Sequence, residues 1–411
     1  MRLLYCLTGL FLCLFTAQAQ DKTLDYYLEQ GLVNSPYLKD LQNQIQSNTI
    51  DSLLIHAAQK PVLSFTGNFY YAPVINSWGY SEVITNGQNF ITTLNVSQPL
   101  FNRKTVETQY AQIGIRTRSL TNLTHLTGNE LKKTITDQYL TAYSIHNDIQ
   151  FYSSALAFLQ EQDTLLRQQV EGGFFRQTDY LSFVVEMQSL ELTLTDARGQ
   201  YRKELSALNL LCGIRDATEY QLVPPELTEK AVPSSENSPL FLRFTLDSLA
   251  IENEKDLIAR RYKPTVSWQS DAGIINNKPR EIYKNFGLSI GLNFALPVYD
   301  GQQRKLNFQK LSFTEDTRKN YEIYFRRQVS EQLGQLEEEL ATIRQTIPKI
   351  RNQLQLAETI IRQNKSLLNS GSITINDYII SLKNFLEIRN NLKQYEVKTL
   401  RLINEINYWK Q

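Results

Sequence analysis

The run Phe286-Gly287-Leu288-Ser289-Ile290-Gly291-Leu292-Asn293-Phe294-Ala295-Leu296-Pro297 decides how this chain folds. Successive side chains of an extended strand point to opposite faces, so Phe286, Leu288, Ile290, Leu292, Phe294 and Leu296 share one side, and Gly287, Ser289, Gly291, Asn293 and Ala295 the other. The run before it behaves the same way, with Val266, Trp268, Ala272 and Ile274 opposing Ser267, Gln269, Asp271 and Gly273. Much earlier, Leu63, Phe65, Phe69 and Tyr71 oppose Ser64, Thr66, Asn68 and Tyr70, and then Phe90, Leu94 and Val96 oppose Asn95 and Ser97. Runs of about 9 to 11 residues with aromatics near their ends have the length and girdles of transmembrane β-strands. Alternation by itself describes a small soluble sheet equally well. An apolar face with no evident soluble core to cover it, in a chain that opens like an exported one, favours the membrane reading. Four strands cannot close a barrel, and an open sheet edge in lipid leaves backbone groups unpaired at several kcal/mol each. Closure therefore falls to other copies, and a cyclic trimer brings three sets of four, or 12 strands.

The opening residues supply the export argument. Arg2 precedes an apolar stretch from Leu3 to Phe15, and Ala17-Gln18-Ala19 is a small-x-small cleavage pattern, so residues 1–19 read as a signal peptide with Gln20 as the first mature residue. An N-terminal anchor is the competing reading, but the stretch falls short of the ~20 residues of a comfortable span. No later stretch approaches 18 uninterrupted apolar residues, so no other helix is expected to cross a bilayer. The 411 residues contain 43 Lys+Arg against 42 Asp+Glu, with 42% hydrophobic and 21% charged residues, which argues against both a disordered chain and an electrostatic nucleic-acid binder. Of 3 cysteines, Cys6 and Cys13 fall in the leader, so Cys212 is alone in the mature chain and no internal disulfide is expected.

The chain is duplicated, which is the feature to seek before any local motif. Ser35-Pro36-Tyr37-Leu38 recurs as Ser238-Pro239-Leu240-Phe241, and Lys60-Pro61-Val62-Leu63-Ser64-Phe65 as Lys263-Pro264-Thr265-Val266-Ser267-Trp268. Gln98-Pro99-Leu100-Phe101-Asn102 matches Leu296-Pro297-Val298-Tyr299-Asp300, and Gly173 with Thr178-Asp179-Tyr180-Leu181 matches Gly371 with Asn376-Asp377-Tyr378-Ile379. The first repeat covers 20–221: a medium helix, strands at about 62–71 and 90–98, a long helix at about 102–171 and a returning helix at about 177–211. A Pro- and Ser-rich linker, 222–238, leads to the second repeat, 239–411, with strands at about 265–274 and 286–296 and helices at about 302–369 and 375–409.

Between Asn102 and Glu171 there is no proline, and the only glycines are Gly114 and Gly128, giving a helix of about 70 residues and roughly 105 Å. Such a length calls for coiled-coil packing. Val329, Leu333, Leu336, Leu340, Ile343, Ile347, Ile350 and Leu354 step 4-3-4-3-4-3-4, a heptad seam interrupted by Pro348, which should kink it. In the first repeat Ile135, Tyr139, Ala142, Ile149, Tyr152, Leu156, Phe158, Leu166 and Val170 keep near one stripe. In each repeat the medium and returning helices, placed end to end, roughly match one long helix, so a trimer would present 12 rods. The expected fold is thus an α+β membrane protein, a trimeric 12-stranded transmembrane β-barrel with four strands per protomer, continued by a long α-helical coiled-coil barrel.

At these residues the chain resembles the TolC-like outer-membrane efflux channels. Thr23-Leu24-Asp25-Tyr26-Tyr27-Leu28-Glu29-Gln30-Gly31-Leu32-Val33-Asn34-Ser35-Pro36 is similar to the family's opening helix and turn. The strand-to-helix junctions at Pro99 and at Pro297-Val298-Tyr299-Asp300-Gly301 are similar to its Pro-aliphatic-aromatic-Asp-Gly signature, and the hairpin turns Gly173 to Asp179 and Gly371 to Asp377 to its periplasmic tip. The resemblance spans essentially the whole mature chain. It implies a homotrimeric, passive conduit through the outer membrane and periplasm of a Gram-negative cell, serving tripartite efflux or type I secretion. It also implies docking at the tip to a periplasmic adaptor and an inner-membrane transporter.

In that family the tip is an acidic constriction, which points to Asp377 first, to Asp179 as its repeat partner, and to Arg176 as a basic neighbour. A ring of aspartates attracts cations, but an Asp near a helix start is equally a cap or dipole partner, and both readings stand at this point. Gly172, Gly173 and Gly371 suit tight turns that leave room for an adaptor. The sequence departs from the family where Leu368 and Ile373 stand in place of the Tyr and Arg that help hold the tip shut, and where Ile380 replaces a further acid. These departures suggest apolar closure.

No phosphate loop, hydrolase elbow, His-Glu-x-x-His or Cys pair is present, and His56, His125 and His146 are scattered, so neither an enzyme nor a metal or other cofactor is expected. Glu337-Glu338-Glu339 reads as the solvated face of the coil beside Leu336 and Leu340. The alternative function is a secreted coiled-coil structural or adhesive protein without channel activity.

Overall fold

Three helix starts in this chain are capped by hydroxyl residues. In the computed structural model, which describes residues 22–80, 88–216, 220–231, 238–277 and 283–411, Thr23 caps the first helix by accepting from Tyr26 N, and Ser238 caps the fifth by accepting from Leu240 N. The leader with its Ala17-Gln18-Ala19 site, together with Cys6 and Cys13, lies outside the described residues, as does the linker around Pro233.

In chain order the elements are α1 (Leu24–Asn34), α2 (Pro36–Ala57), β1 (Val62–Tyr71), β2 (Gln88–Leu100), α3 (Arg103–Glu171), α4 (Gln177–Leu211), α5 (Pro239–Arg261), β3 (Thr265–Asn276), β4 (Phe286–Ala295), α6 (Gln303–Asn369) and α7 (Ile375–Trp409). The strands form one antiparallel sheet in the order β1-β2-β3-β4. β2 runs further in both directions than its apolar alternation, because the ladder to β1 reaches back to Tyr70↔Asn89 and Tyr71↔Gln88 and the ladder to β3 carries on through Gln98↔Trp268 and Pro99↔Ser267 to Leu100↔Val266. α6 is a single helix of 67 residues that includes Pro348.

The chain divides into two compact units, and neither coincides with one sequence repeat. The helical unit takes in residues up to Ser35, Asn129–Ala231 and Gln332–Lys410. Leu159 and Leu166 of α3, Phe183 of α4, Leu368 of α6, and Ile375 and Tyr378 of α7 are all buried in one cluster. A second cluster gathers Tyr27 of α1, Ile135 and Tyr139 of α3, Leu208 of α4 and Cys212. Here Gly31 lets α1 lie against α3, since a Cβ on it would meet Ile135 Cδ1 at 2.3 Å. The fully buried Tyr139 hydroxyl donates to the carbonyls of Lys22 (3.1 Å) and Val223 (2.7 Å), tying two connecting segments to the middle of α3. The heptad seam of α6 buries Leu336, Leu340 and Ile343 against Leu402, Ile403 and Ile406 of α7.

The sheet unit takes in Pro36–Gly128, Val232–Glu331 and Gln411. Polar clamps join its helices: Asn48 Nδ2 donates to Thr117 Oγ1 (3.1 Å) and Asn122 Nδ2 to the Pro239 carbonyl (3.0 Å). Arg318 of α6 holds Glu315 at 2.9 Å and Glu322 at 2.8 Å and donates to the Phe244 carbonyl of α5. The guanidinium keeps both carboxyls below the usual carboxylate range.

Candidate functional site: an amphipathic sheet and two hairpin turns

Register decides whether four alternating strands make one surface. It places Leu63, Val96, Ser270 and Ile290 in one row across the sheet, and Phe65, Leu94, Ala272 and Leu288 in the next but one. The apolar sides of all four strands therefore fall on one face. The opposite face carries Ser64, Asn95, Asp271 and Ser289 in one row and Thr66, Thr93, Gly273 and Gly287 in another. Asn95 Nδ2 donates to Thr66 Oγ1 (3.0 Å), and the Ser289 hydroxyl donates to Asp271. β1 and β4 are the two outer strands, and every residue of both is exposed, Phe65 and Phe286 at 71% each. Two edges with unpaired backbone groups thus bound a sheet whose apolar face lies open.

At the strand-to-helix junctions, Asp300 Oδ2 accepts from the Arg304 backbone N–H at 2.8 Å, just ahead of α6. That bond, with help from the Tyr262 hydroxyl, holds the Asp300 carboxyl below its ordinary value. The neighbouring Gly301 sits at φ 63°. The Pro297-to-Gly301 signature is thus a turn and a cap, and Pro297 lies two residues past Ala295, the last residue of β4. In the first repeat Pro99 is inside β2, next to its last residue. There Gln59 clamps the junction, its carbonyl accepting from Gln98 Nε2 (3.1 Å) and its side chain from Asn102. Nothing in the alternation pattern marks Gln59 for that part.

The two hairpin turns share one backbone design. Gly173 N–H donates to the Val170 carbonyl and Phe174 N–H to the Gln169 carbonyl. Gly371 N–H donates to the Leu368 carbonyl and Ser372 N–H to the Leu367 carbonyl. This is the paired-bond helix stop built on a left-handed residue, and Gly173 (φ 79°) and Gly371 (φ 71°) provide it. Gly172, just before, lies under the Phe174 ring, where a Cβ would come within 3.1 Å of Cδ2. Phe174 itself is 78% exposed.

The helices that leave the turns differ. α7 opens with a reciprocal capping box: Thr374 Oγ1 accepts from Asp377 N (3.1 Å), while Asp377 Oδ2 accepts from Thr374 N (3.1 Å) and Thr374 Oγ1 (2.7 Å). These bonds hold the exposed Asp377 carboxyl below its ordinary value. α4 opens on Arg176, which makes no side-chain capping bond, with Asp179 in its first turn. No side-chain hydrogen bond or ion pair among the described residues joins Arg176, Asp179 and Asp377. The Thr374-x-x-Asp377 spacing is itself a sequence signal for the box. Among the described residues no helix is long and apolar enough to cross a membrane, and no group of three or more His, Cys, Asp or Glu is placed to hold a metal ion.

No family model matches the sequence, and no curated protein matches it. Solved structures do match. The outer membrane protein VceC of Vibrio cholerae aligns over 94% of this chain and 96% of its own, with a TM-score of 0.77 at 14% identity. The CmeC outer membrane channel of Campylobacter jejuni aligns over 94% and 85% (TM-score 0.72, 14% identity), and the MtrE outer membrane channel of Neisseria gonorrhoeae, solved in its open state, over 94% and 88% (TM-score 0.70, 12% identity). With four strands in one sheet, long helices and two glycine-stopped hairpins aligned nearly end to end with these proteins, the chain has the fold of the TolC-like outer-membrane channels.

Proposed function

We propose that this chain is one protomer of a passive exit duct in the outer membrane of a Gram-negative cell. Three copies close a 12-stranded barrel in the bilayer, and their helices continue as a conduit in the periplasm. The observation that carries this reading is the sheet: one face apolar across all four strands, the other polar, and two unpaired edges. Lipid accepts the first face and a water-filled lumen the second, while the edges of β1 and β4 are satisfied only by pairing with further copies. The likeness to VceC, CmeC and MtrE supports the same reading.

The hairpin turns form the periplasmic tip, where Gly172, Gly173 and Gly371 leave room for an adaptor protein that links the duct to an inner-membrane transporter. Asp377 and Asp179, with Arg176 beside them, line its constriction. Both capping bonds to Asp377 end on Oδ2, so the carboxylate serves as cap and pore charge together. Energy for transport comes from the partner pump. The duct performs no covalent chemistry.

Single-channel recording of the purified protein in planar bilayers tests this. A small conductance, blocked by a trivalent cation from the tip side and relieved of that block by Asp377→Ala, is the expected result. Conductance indifferent to both moves the constriction away from Asp377. A well-folded particle without conductance, or an outer-membrane extract lacking a heat-modifiable oligomer, would overturn the duct in favour of a secreted structural rod.

A further inference from the structure

Within the helical unit α3 and α7 occupy the centre. α3 is bonded to α4 (Tyr180 Oη to Asp163, 3.0 Å), to α6 (Lys365 to Glu161, 4.0 Å) and to α7 (Lys393 with Asp148). α7 is bonded in addition to α4 (Lys383 to Glu186, 2.8 Å) and to α6 (Asn364 Nδ2 to Ser381 Oγ, 2.9 Å). No hydrogen bond or ion pair among the described residues joins α4 to α6, so these two helices are the flanks.

Each flank carries an apolar stripe that stays exposed among the described residues. On α4 it is Leu181, Val185 and Leu192, exposed at 53%, 63% and 69%. On α6 it is Leu356, Ile360 and Leu367, exposed at 59%, 49% and 41%. Both follow an i, i+4, i+11 or i, i+7, i+11 spacing, which keeps three side chains on one side of a helix over three turns. In each stripe the position that would complete the 4-3-4 step is a glutamine, Gln188 on α4 and Gln363 on α6.

The stripes also lie level. The two turns are tied near their bases by Gln169 Nε2 donating to the Asn369 carbonyl at 3.5 Å. Counted from the turn, Leu181, Val185 and Leu192 are the fifth, ninth and sixteenth residues of α4. Leu367, Ile360 and Leu356 are the third, tenth and fourteenth of α6. The offsets of one or two residues amount to about 1.5–3 Å. Copies related by rotation about an axis along the coil keep their heights, so the α4 stripe of one copy meets the α6 stripe of the next at the same level.

We infer that the contact between copies in the coil is heterologous and is made by α6 of one protomer on α4 of its neighbour, pairing Leu181 with Leu367, Val185 with Ile360 and Leu192 with Leu356. The inference rests on the ring of copies proposed above. It adds which helix faces form the seam. The occupant is a second copy of this chain because the complementary stripe, with the same residue classes, spacing and height, is on the chain itself. The seam is thin beside the core within each protomer, where Leu159, Phe183 and Tyr378 are each no more than 1% exposed.

The test is cysteine cross-linking in native membranes with a short bifunctional maleimide. Cys212 is fully buried, and the unsubstituted chain sets the background. Val185→Cys combined with Ile360→Cys should give covalent dimers and trimers, and each single variant should give neither. Leu192→Cys with Leu356→Cys repeats the test about two turns further along α4 and about one turn further along α6, in case one pair disturbs packing. Cross-linking by the Val185→Cys variant alone would mean α4 meets α4, and a cross-link confined to one chain would mean the stripes meet within the protomer. Either result overturns the inference, as does a trimeric mass with no cross-link from either pair. A monomeric mass for the unsubstituted protein removes the ring itself, and light scattering reads that separately.

Discussion

Gly273 should tolerate no side chain. A Cβ there would lie 2.1 Å from the Thr92 carbonyl oxygen and 2.6 Å from Thr93 Cα, whereas ordinary Cβ contacts begin near 3.4 Å. Both atoms are main chain of β2, and Gly273 is paired with Thr93, so no rotamer change relieves the overlap. The strands must part locally by roughly 1 Å, enough to carry N–H···O bonds from about 2.9 Å out of effective range. Two or three ladder bonds at about 1 kcal/mol net each give a loss of about 3 kcal/mol in water-like surroundings, or roughly 150-fold in the folded-to-unfolded ratio. Within lipid each orphaned group costs more. Gly287, which pairs with Gly273 from β4, has nothing within 4 Å of its Cβ position, and neither does Gly291. The Gly273→Ala variant should therefore lose most of its heat-modifiable oligomer in outer-membrane extracts and unfold at lower urea in detergent, while Gly287→Ala and Gly291→Ala behave like the parent. Equal assembly of Gly273→Ala and Gly287→Ala would refute the close approach of β2 and β3.

Three further outcomes are expected. Tyr139→Phe removes a buried donor from two main-chain acceptors, Lys22 O and Val223 O, and should lower stability by about 1–3 kcal/mol. Thermal unfolding reads the loss, and faster proteolysis near Lys22 locates it. The capping box gives α7 a pH dependence of fixed sign. Because the folded Asp377 carboxyl is held below its ordinary value, its contribution is complete above the ordinary carboxylate range and is lost as pH falls through the depressed value. Amide exchange at Ile375 to Tyr378 should thus accelerate on acidification in the parent beyond the intrinsic trend, and the Asp377→Asn protein should lack that extra step. Burial pushes the Cys212 thiol up to about 12, so maleimide labelling of the native protein at pH 7.5 should wait for unfolding. Labelling of Cys212 as fast as in denaturant would show that α4 ends in an open, solvated segment.

Much of the candidate site is local and was therefore readable. Period-two alternation identifies the strands Val62–Tyr71 and Phe286–Ala295 because each residue's face depends only on its own neighbours. Gly173 and Gly371 announce helix stops because a left-handed residue after a helix suits glycine above all others. Of the two readings of Asp377, cap and pore charge, the cap follows from the position of Thr374, three residues earlier. The Thr374 hydroxyl and N–H hold the carboxylate, and the matching Arg176 offers Asp179 no such partner.

Other features depend on what distant segments bring. Gln59 and Tyr139 look ordinary in sequence, and each acquires its part from residues about 40 or more positions away. The mixing of both repeats in each compact unit is likewise invisible in a duplicated chain, which suggests two separate halves. The sequence by itself determined the elements, the duplication and the apolar side of each strand, because propensity and periodicity act over a few residues. Tertiary structure alone decided that the four apolar sides share one face, that Gly273 is where two backbones nearly touch, and that α4 and α6 are left as flanks. A slip of one residue at any pairing would have turned a strand over without changing a letter of its pattern, so register and packing partners exist only once the chain has folded.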